Sequence, residues 1–173
     1  MKEKNFFLNI KKQLPKGCFI QKIENKFNSG FVDLILITEK NPLFIELKTT
    51  KKGNRINVEK SQISIHLRIF ANNYISFFLV HDPLSSNLFL FDGGKLCNYL
   101  AKNGLCTFVL SRETEQGFLV HGSLKECLKI ANQLTCDPWN VQRVALKMYM
   151  KYSLRPFAHL REITKSYIKK IAN

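Results

Sequence analysis

Apolar positions along the chain recur with two different periods, and the changes between them mark out its elements. Over residues 2–14, Phe6, Phe7, Ile10 and Leu14 return at helical spacing, with Lys4, Lys11 and Lys12 on the other side. This predicts a helix, ended by Pro15 and Gly17, with Glu3 in its first turn, where a carboxylate suits the helix dipole. The period then drops to two. Residues 18–26 alternate Phe19, Gln21, Ile23 and Asn25 with Ile20, Lys22 and Glu24, which predicts a strand. Asn28-Ser29-Gly30 is turn chemistry, residues 31–37 form a second strand, and residues 43–49 a third. Their short connections predict a meander of neighbours.

A polar, basic loop is expected over residues 50–57 and a helix over 58–71, with Ile63, Leu67 and Phe70 as its apolar stripe. Gln62 and His66, four apart, share an adjacent face. Residues 74–80, nearly all apolar, suit a strand covered on both sides, and 88–91 a shorter one. A short helix is expected over 95–102 and a hairpin over 105–111 and 118–120. Ser123 and Glu126 form a capping box for a helix to about residue 134. Asp137-Pro138 opens another helix over 139–152, and Pro156 a last one to 171. The order predicts an α/β fold, a mixed central sheet flanked by helices, with a core over 1–104 and a basic, mainly helical extension over 105–173.

Composition narrows the class. The 173 residues are 45% apolar, enough for one domain with a core, alone or with an appended subdomain, and include 14 Phe. No run reaches the length of a membrane span, and the N-terminus lacks a signal core, so a soluble, intracellular protein is expected. Lys and Arg number 27 against 13 Asp and Glu, a formal charge of +14. That surplus favours a polyanionic partner, nucleic acid above all; a Lys-rich compositional bias is the plainer alternative. Between Pro138 and Asn173 eight basic residues face one acid, Glu162. They could grip a DNA arm or form the outside of a helical cap, and Trp139 with Val141, Val144 and Leu146 suits core packing. The five cysteines form no CxxC pair and the four histidines no HExxH spacing, so reduced buried thiols are expected.

Charges stand where the pattern calls for apolar residues. Asp33 lies inside GFVDLILI, and Glu46 and Lys48 lie two apart inside LFIELKT. Two apart on a strand means one face, so Glu46 and Lys48 emerge together with Leu47 turned to the core behind them. Asp33 can join them if the two strands are neighbours. Paired carboxylates make a site for a hard divalent cation, which takes oxygen ligands and substrate phosphate. A lysine beside it can hold a nucleophile or stabilise charge growing on phosphorus. An isolated ion pair at a strand end is the alternative for Glu46 and Lys48 alone.

The text IENKFNSGFVDLIL, then LFIELKT, then KSQISIHLRIF, resembles the PD-(D/E)xK nuclease superfamily. Within it, the similarity is greatest to the VRR-NUC and Holliday-junction-resolvase-like phage nucleases. It spans residues 2–91, and Val32 stands where the family usually has proline. The resemblance implies a restriction-endonuclease-like core, αβββαβ. It also implies Mg²⁺ or Mn²⁺ held by Asp33, Glu46 and the Leu47 carbonyl, Lys48 as the catalytic lysine, and Gln62 at the site edge orienting substrate or lysine. Glu24 is preferred to Glu3 as a further acid, a solvated strand residue being the other reading. Lys51, Lys52 and Arg55 would contact phosphate, or form a merely solvated loop. His66 would reach phosphate or be a polar histidine on the helix face.

The expected activity is Mg-dependent endonucleolytic hydrolysis of DNA, selective for branched structures such as a Holliday junction. Cutting two strands implies a homodimer with paired sites, acting in the cytoplasm of a bacterial or phage-infected cell. The alternatives are a restriction-type, nicking or recombination-exonuclease role for the same site, or an inactive nucleic-acid-binding module.

Overall fold

A computed structural model of the chain describes residues 3–23, 31–39, 41–50, 54–85, 87–110 and 117–136. Its elements run α1 (Glu3–Gln13), β1 (Phe19–Lys22), β2 (Leu34–Ile37), β3 (Leu43–Thr49), β4 (Arg55–Asn57), α2 (Lys60–Ala71), β5 (Ser76–His81), β6 (Leu88–Asp92), α3 (Gly93–Lys102), β7 (Thr107–Val109), β8 (Phe118–Gly122) and α4 (Leu124–Cys136). The expected order of helix, three strands, helix and strand is present as α1-β1-β2-β3-α2-β5, with β4 added in the β3–α2 connection.

Six strands form one mixed sheet in the order β1-β2-β3-β5-β6-β8. Only β3 and β5 run parallel, because the α2 crossover returns the chain in the same direction; the other neighbours are antiparallel. Alternation sorts the side chains to two cores. Leu43, Ile45 and Leu47 of β3, with Phe77 and Leu79 of β5, pack under α1 and α4. Phe78 and Val80 of β5, with Phe91 of β6, pack under α2 and α3. Central β5 is thus buried on both faces, as its unbroken apolar run predicts.

Several elements differ from the pattern. The loop expected over 50–57 contains β4, because Ile56 is buried while Arg55 and Asn57 face solvent, and β4 pairs with β7 rather than with a chain neighbour. The hairpin expected over 105–120 is therefore not formed: β7 joins β4, and β8 joins β6 at the sheet edge. The apolar stripe of α2 holds for Ile63 and Leu67, which pack in the second core, and differs at Phe70 and His66. Ile63 and His66 are its buried residues, whereas Phe70 is 48% exposed and lies along Gly94, where an added Cβ would come within 2.6 Å of the Phe70 ring. α3 starts two residues before expectation because Asp92 caps it, its Oδ1 accepting from the Lys95 N–H at 3.0 Å. The Ser123–Glu126 capping box opens α4 as expected, with Glu126 Oε2 accepting the Ser123 N–H at 2.9 Å.

Residues 107–109 and 118–136 of the expected extension supply β7, β8 and α4. The helices expected over 139–171, Trp139 among them, lie outside the described residues. Among the described residues no helix is long and apolar enough to cross a membrane.

Candidate active site

The site forms where β2, β3 and the start of α2 meet. Antiparallel register sets Leu34 opposite Ile45, which leaves Asp33, one residue before β2, opposite Glu46. The Leu47 N–H donates to Asp33 Oδ2 at 2.8 Å, tying the aspartate to the middle of the ExK triplet. In a strand the N–H and C=O of one residue point to the same edge, so the Leu47 carbonyl faces Asp33 as well. Glu46 and Lys48 project from the opposite face to Leu47, towards α2, as alternation predicts.

Gln62 completes the cluster, and its own position is over-determined. It is the third residue of α2, and its Oε1 accepts the Glu59 N–H at 3.0 Å, one half of a capping box. The same oxygen accepts from Lys48 Nζ at 2.9 Å, while its Nε2 donates to Glu46 Oε1. Lys48 Nζ lies 3.3 Å from that Glu46 oxygen. The helix start thus locks the lysine and the glutamate into one arrangement.

Electrostatics make this arrangement a strained holder of negative charge. Glu46 is 0% exposed. Burial above all, then the facing Asp33 charge, pushes its carboxyl up to about 8, against the opposing pull of Lys48. Among the described residues no donor N–H or O–H faces its buried Oε2, and the carboxyl lies in hydrogen-bond contact with that of Asp33, the arrangement of two acids that share a proton or a cation. Asp33, Glu46 and the Leu47 carbonyl form an all-oxygen set with spare acceptor capacity, which fits a hard divalent cation that keeps waters and takes substrate oxygens. Among the described residues no three His, Cys, Asp or Glu side chains gather about one point, so the carbonyl and solvent would have to complete such a site.

The other sequence candidates separate into two groups. Glu24, Lys51 and Lys52 lie outside the described residues. Arg55 is exposed on β4, in the strand that leads to Glu59 and α2. His66 is a correction: a phosphate contact is excluded because the residue is 0% exposed. Its ring stacks on Phe78 at 4.3 Å between centroids, and its Nδ1 lies 2.6 Å from Ser76 Oγ. Burial, aided by the Lys48 charge, pulls its pKa down to about 3, so the imidazole is neutral at any working pH. The helical pattern puts it beside the stripe, and packing of α3 on α2 buries that side of the helix as well. Ser76, its partner, carries one signal in the sequence, a hydroxyl at the head of the apolar run Phe77–Val80. Cys97 and Cys127 are free and buried, and burial pushes both thiols up to about 12, so neither is a nucleophile.

No family model matches the sequence, and no curated protein matches it. Among solved structures, the chain is similar to Hjc, a Holliday junction resolvase from the archaeal hyperthermophile Archaeoglobus fulgidus, with a TM-score of 0.41 and 14% identity over 54% of this chain and 76% of that one.

Proposed function

We propose that the protein is a divalent-cation-dependent nuclease of the PD-(D/E)xK type that hydrolyses DNA phosphodiester bonds. The observation that carries the reading is the convergence of Asp33, Glu46, Lys48 and Gln62, from three separate elements, on one point at the sheet. An ion pair at a strand end would not need the second carboxylate, and burying Glu46 beside Asp33 is costly unless a cation or a proton compensates.

In this reading Asp33, Glu46 and the Leu47 carbonyl hold Mg²⁺ or Mn²⁺. When bound, the cation makes water a better nucleophile at neutral pH and offsets charge on the phosphate. Lys48, 12% exposed at its side chain, offers a donor at the mouth of the site to the oxygens on which charge grows. Gln62 keeps that donor at a fixed height above Glu46. Asp33, anchored on the Leu47 N–H, keeps its other oxygen for the cation. Arg55 and the surplus of positive charge supply sequence-independent phosphate contacts. A small basic chain suits a structure-selective enzyme, and branched DNA cut on two strands by a homodimer is the substrate and assembly proposed.

The test is cleavage of four-way junction, flap, duplex and single-stranded DNA with Mg²⁺, Mn²⁺ or chelator. Cutting that needs the cation, prefers the junction and disappears in Asp33→Ala is the expected result. DNA binding without cutting under every condition would replace the nuclease with a binding module.

A further inference from the structure

β4 and β7 form a two-stranded ribbon apart from the six-stranded sheet. Its inner row is apolar. Ile56 and Phe108 are register partners, and with Val58 and Leu110 they pack in the core that holds Phe78 and Val80. The Phe108 ring meets Phe91 edge-on at 5.3 Å between centroids. Phe78 and Val80 are the β5 register partners of Glu46 and Lys48, so the ribbon stands on the same face of the sheet as the Asp33–Glu46–Lys48 cluster. Backbone bonds lengthen its ladder at both ends: the Leu110 N–H donates to the Asn54 carbonyl at 2.7 Å, and the Val58 N–H to the Cys106 carbonyl at 2.9 Å. A two-stranded ribbon is marginal by itself; this one keeps its shape because its inner row is sealed in a core.

The outer row has another chemistry. Arg55 faces Val109 and Asn57 faces Thr107 across the ladder, and all of them are exposed. No acid occurs over 54–58 or 105–110, and Lys51 and Lys52 precede Arg55 in the chain. Among the described residues no partner takes up the side-chain donors of Arg55, Asn57 or Thr107. A guanidinium, an amide, a hydroxyl and a branched apolar side chain together suit base edges, with donors for purine acceptors and apolar surface for a thymine methyl. A rail for phosphates alone gains nothing from an exposed valine beside its arginine.

The chain also fixes the distance from this row to the cluster. The Glu59 N–H and Lys48 Nζ both donate to Gln62 Oε1, at 3.0 and 2.9 Å. Asn57 lies two residues and Arg55 four before Glu59. An extended chain spans at most about 7 and 14 Å over those lengths. Successive phosphates of one duplex strand rise about 3.4 Å each, so the outer row stands roughly two to four steps from a phosphate held at Lys48. A two-stranded ribbon fits the major groove, which is about 12 Å wide.

We propose that the outer face of the β4–β7 ribbon enters the major groove of the duplex arm beside the scissile phosphate, with Asn57, Thr107 and Val109 against base edges and Arg55 on the backbone. The inference rests on DNA as the partner of the site.

The experiment is binding of the full chain to a four-way junction in chelator. It is read by fluorescence anisotropy and by the reactivity of guanine N7, a major-groove atom, towards dimethyl sulfate. Asn57 and Thr107 are exposed, so substitutions there leave the core intact, and thermal unfolding checks this. Asn57→Asp and Thr107→Glu should each weaken junction binding about tenfold or more and abolish guanine protection, with Mn²⁺ affinity by calorimetry unchanged. Gln13→Glu, the same change of charge at the exposed end of α1 on the other face of the sheet, should stay within about threefold. Ribbon variants that bind like Gln13→Glu overturn the proposal, as does a parent that leaves every guanine N7 reactive. Affinity lost only through dissociation of a dimer in sedimentation makes the ribbon a contact between copies and overturns it too. Cleavage by the parent separates the two claims. If the parent cuts with Mg²⁺ while the ribbon variants bind the junction as it does, only the ribbon is misread. If it never cuts but its guanine protection depends on Asn57 and Thr107, the nuclease falls and the groove contact stands.

Discussion

Replacing Glu46 by glutamine should stabilise the metal-free protein at alkaline pH while removing its activity. The magnitude follows from the burial of the carboxyl. Its pKa rises from 4.5 to about 8 on folding, so between those values the folded state holds a proton that the unfolded state has lost. Stability must then fall as pH rises through that window and level off above it. Each unit is about 1.4 kcal/mol, so the carboxyl costs about 2 kcal/mol between pH 6.5 and 8. His66 and His81, whose pKa values are lowered by burial, act in the opposite sense, but only below their unfolded value of 6.5. The upper window therefore isolates Glu46. The assay is thermal unfolding in chelator at pH 6.5 and pH 8. For a chain of this size about 2 kcal/mol is a shift of roughly 4–8 °C, lost by the parent and not by Glu46→Gln. Parallel pH profiles for parent and variant across that window would refute the burial argument.

Other perturbations act on neighbouring links of the same cluster. Lys48→Met should reduce cleavage by about 10²-fold or more, the cost of removing one preorganised donor, with DNA binding in filter assays little changed. Gln62→Leu removes the bond to the Glu59 N–H and both side-chain partners; urea unfolding should show a loss of about 1–2 kcal/mol together with reduced turnover. Gly93→Ala would drive a Cβ into the His66–Ser76 pair, costing about 1–3 kcal/mol of stability by the same measurement. Arg55→Ala should weaken DNA binding about equally for all sequences and lower the slope of affinity against salt by about 1.

Much of this cluster was legible in the chain because its logic is local. Period-two alternation placed Glu46 and Lys48 on one face, and short connections made β2 and β3 neighbours, which brought Asp33 across from Glu46. Gln62 was legible as the first turn of a helix. Pairing between distant strands was not. Three-residue β4 carries almost no period of its own and exists because β7, some fifty residues later, covers it. The same long-range pairing dissolved the hairpin expected over 105–120. The burial of His66 depends on how α3 packs on α2, through Gly93 and Gly94, and neither glycine advertises a partner in the sequence. Local text tells which residues form strands and helices; which faces meet is decided by contacts far apart in the chain.

The most direct test of the central claim is one cleavage series on four-way junction DNA, with and without Mg²⁺, using the parent, Asp33→Asn, Glu46→Gln and Lys48→Met. Mg²⁺-dependent cutting by the parent is expected, with none above background by Asp33→Asn and Glu46→Gln and a loss of about 10²-fold or more by Lys48→Met, each variant folded and still able to bind DNA. Cutting by any of the three at the parental rate would contradict the central claim.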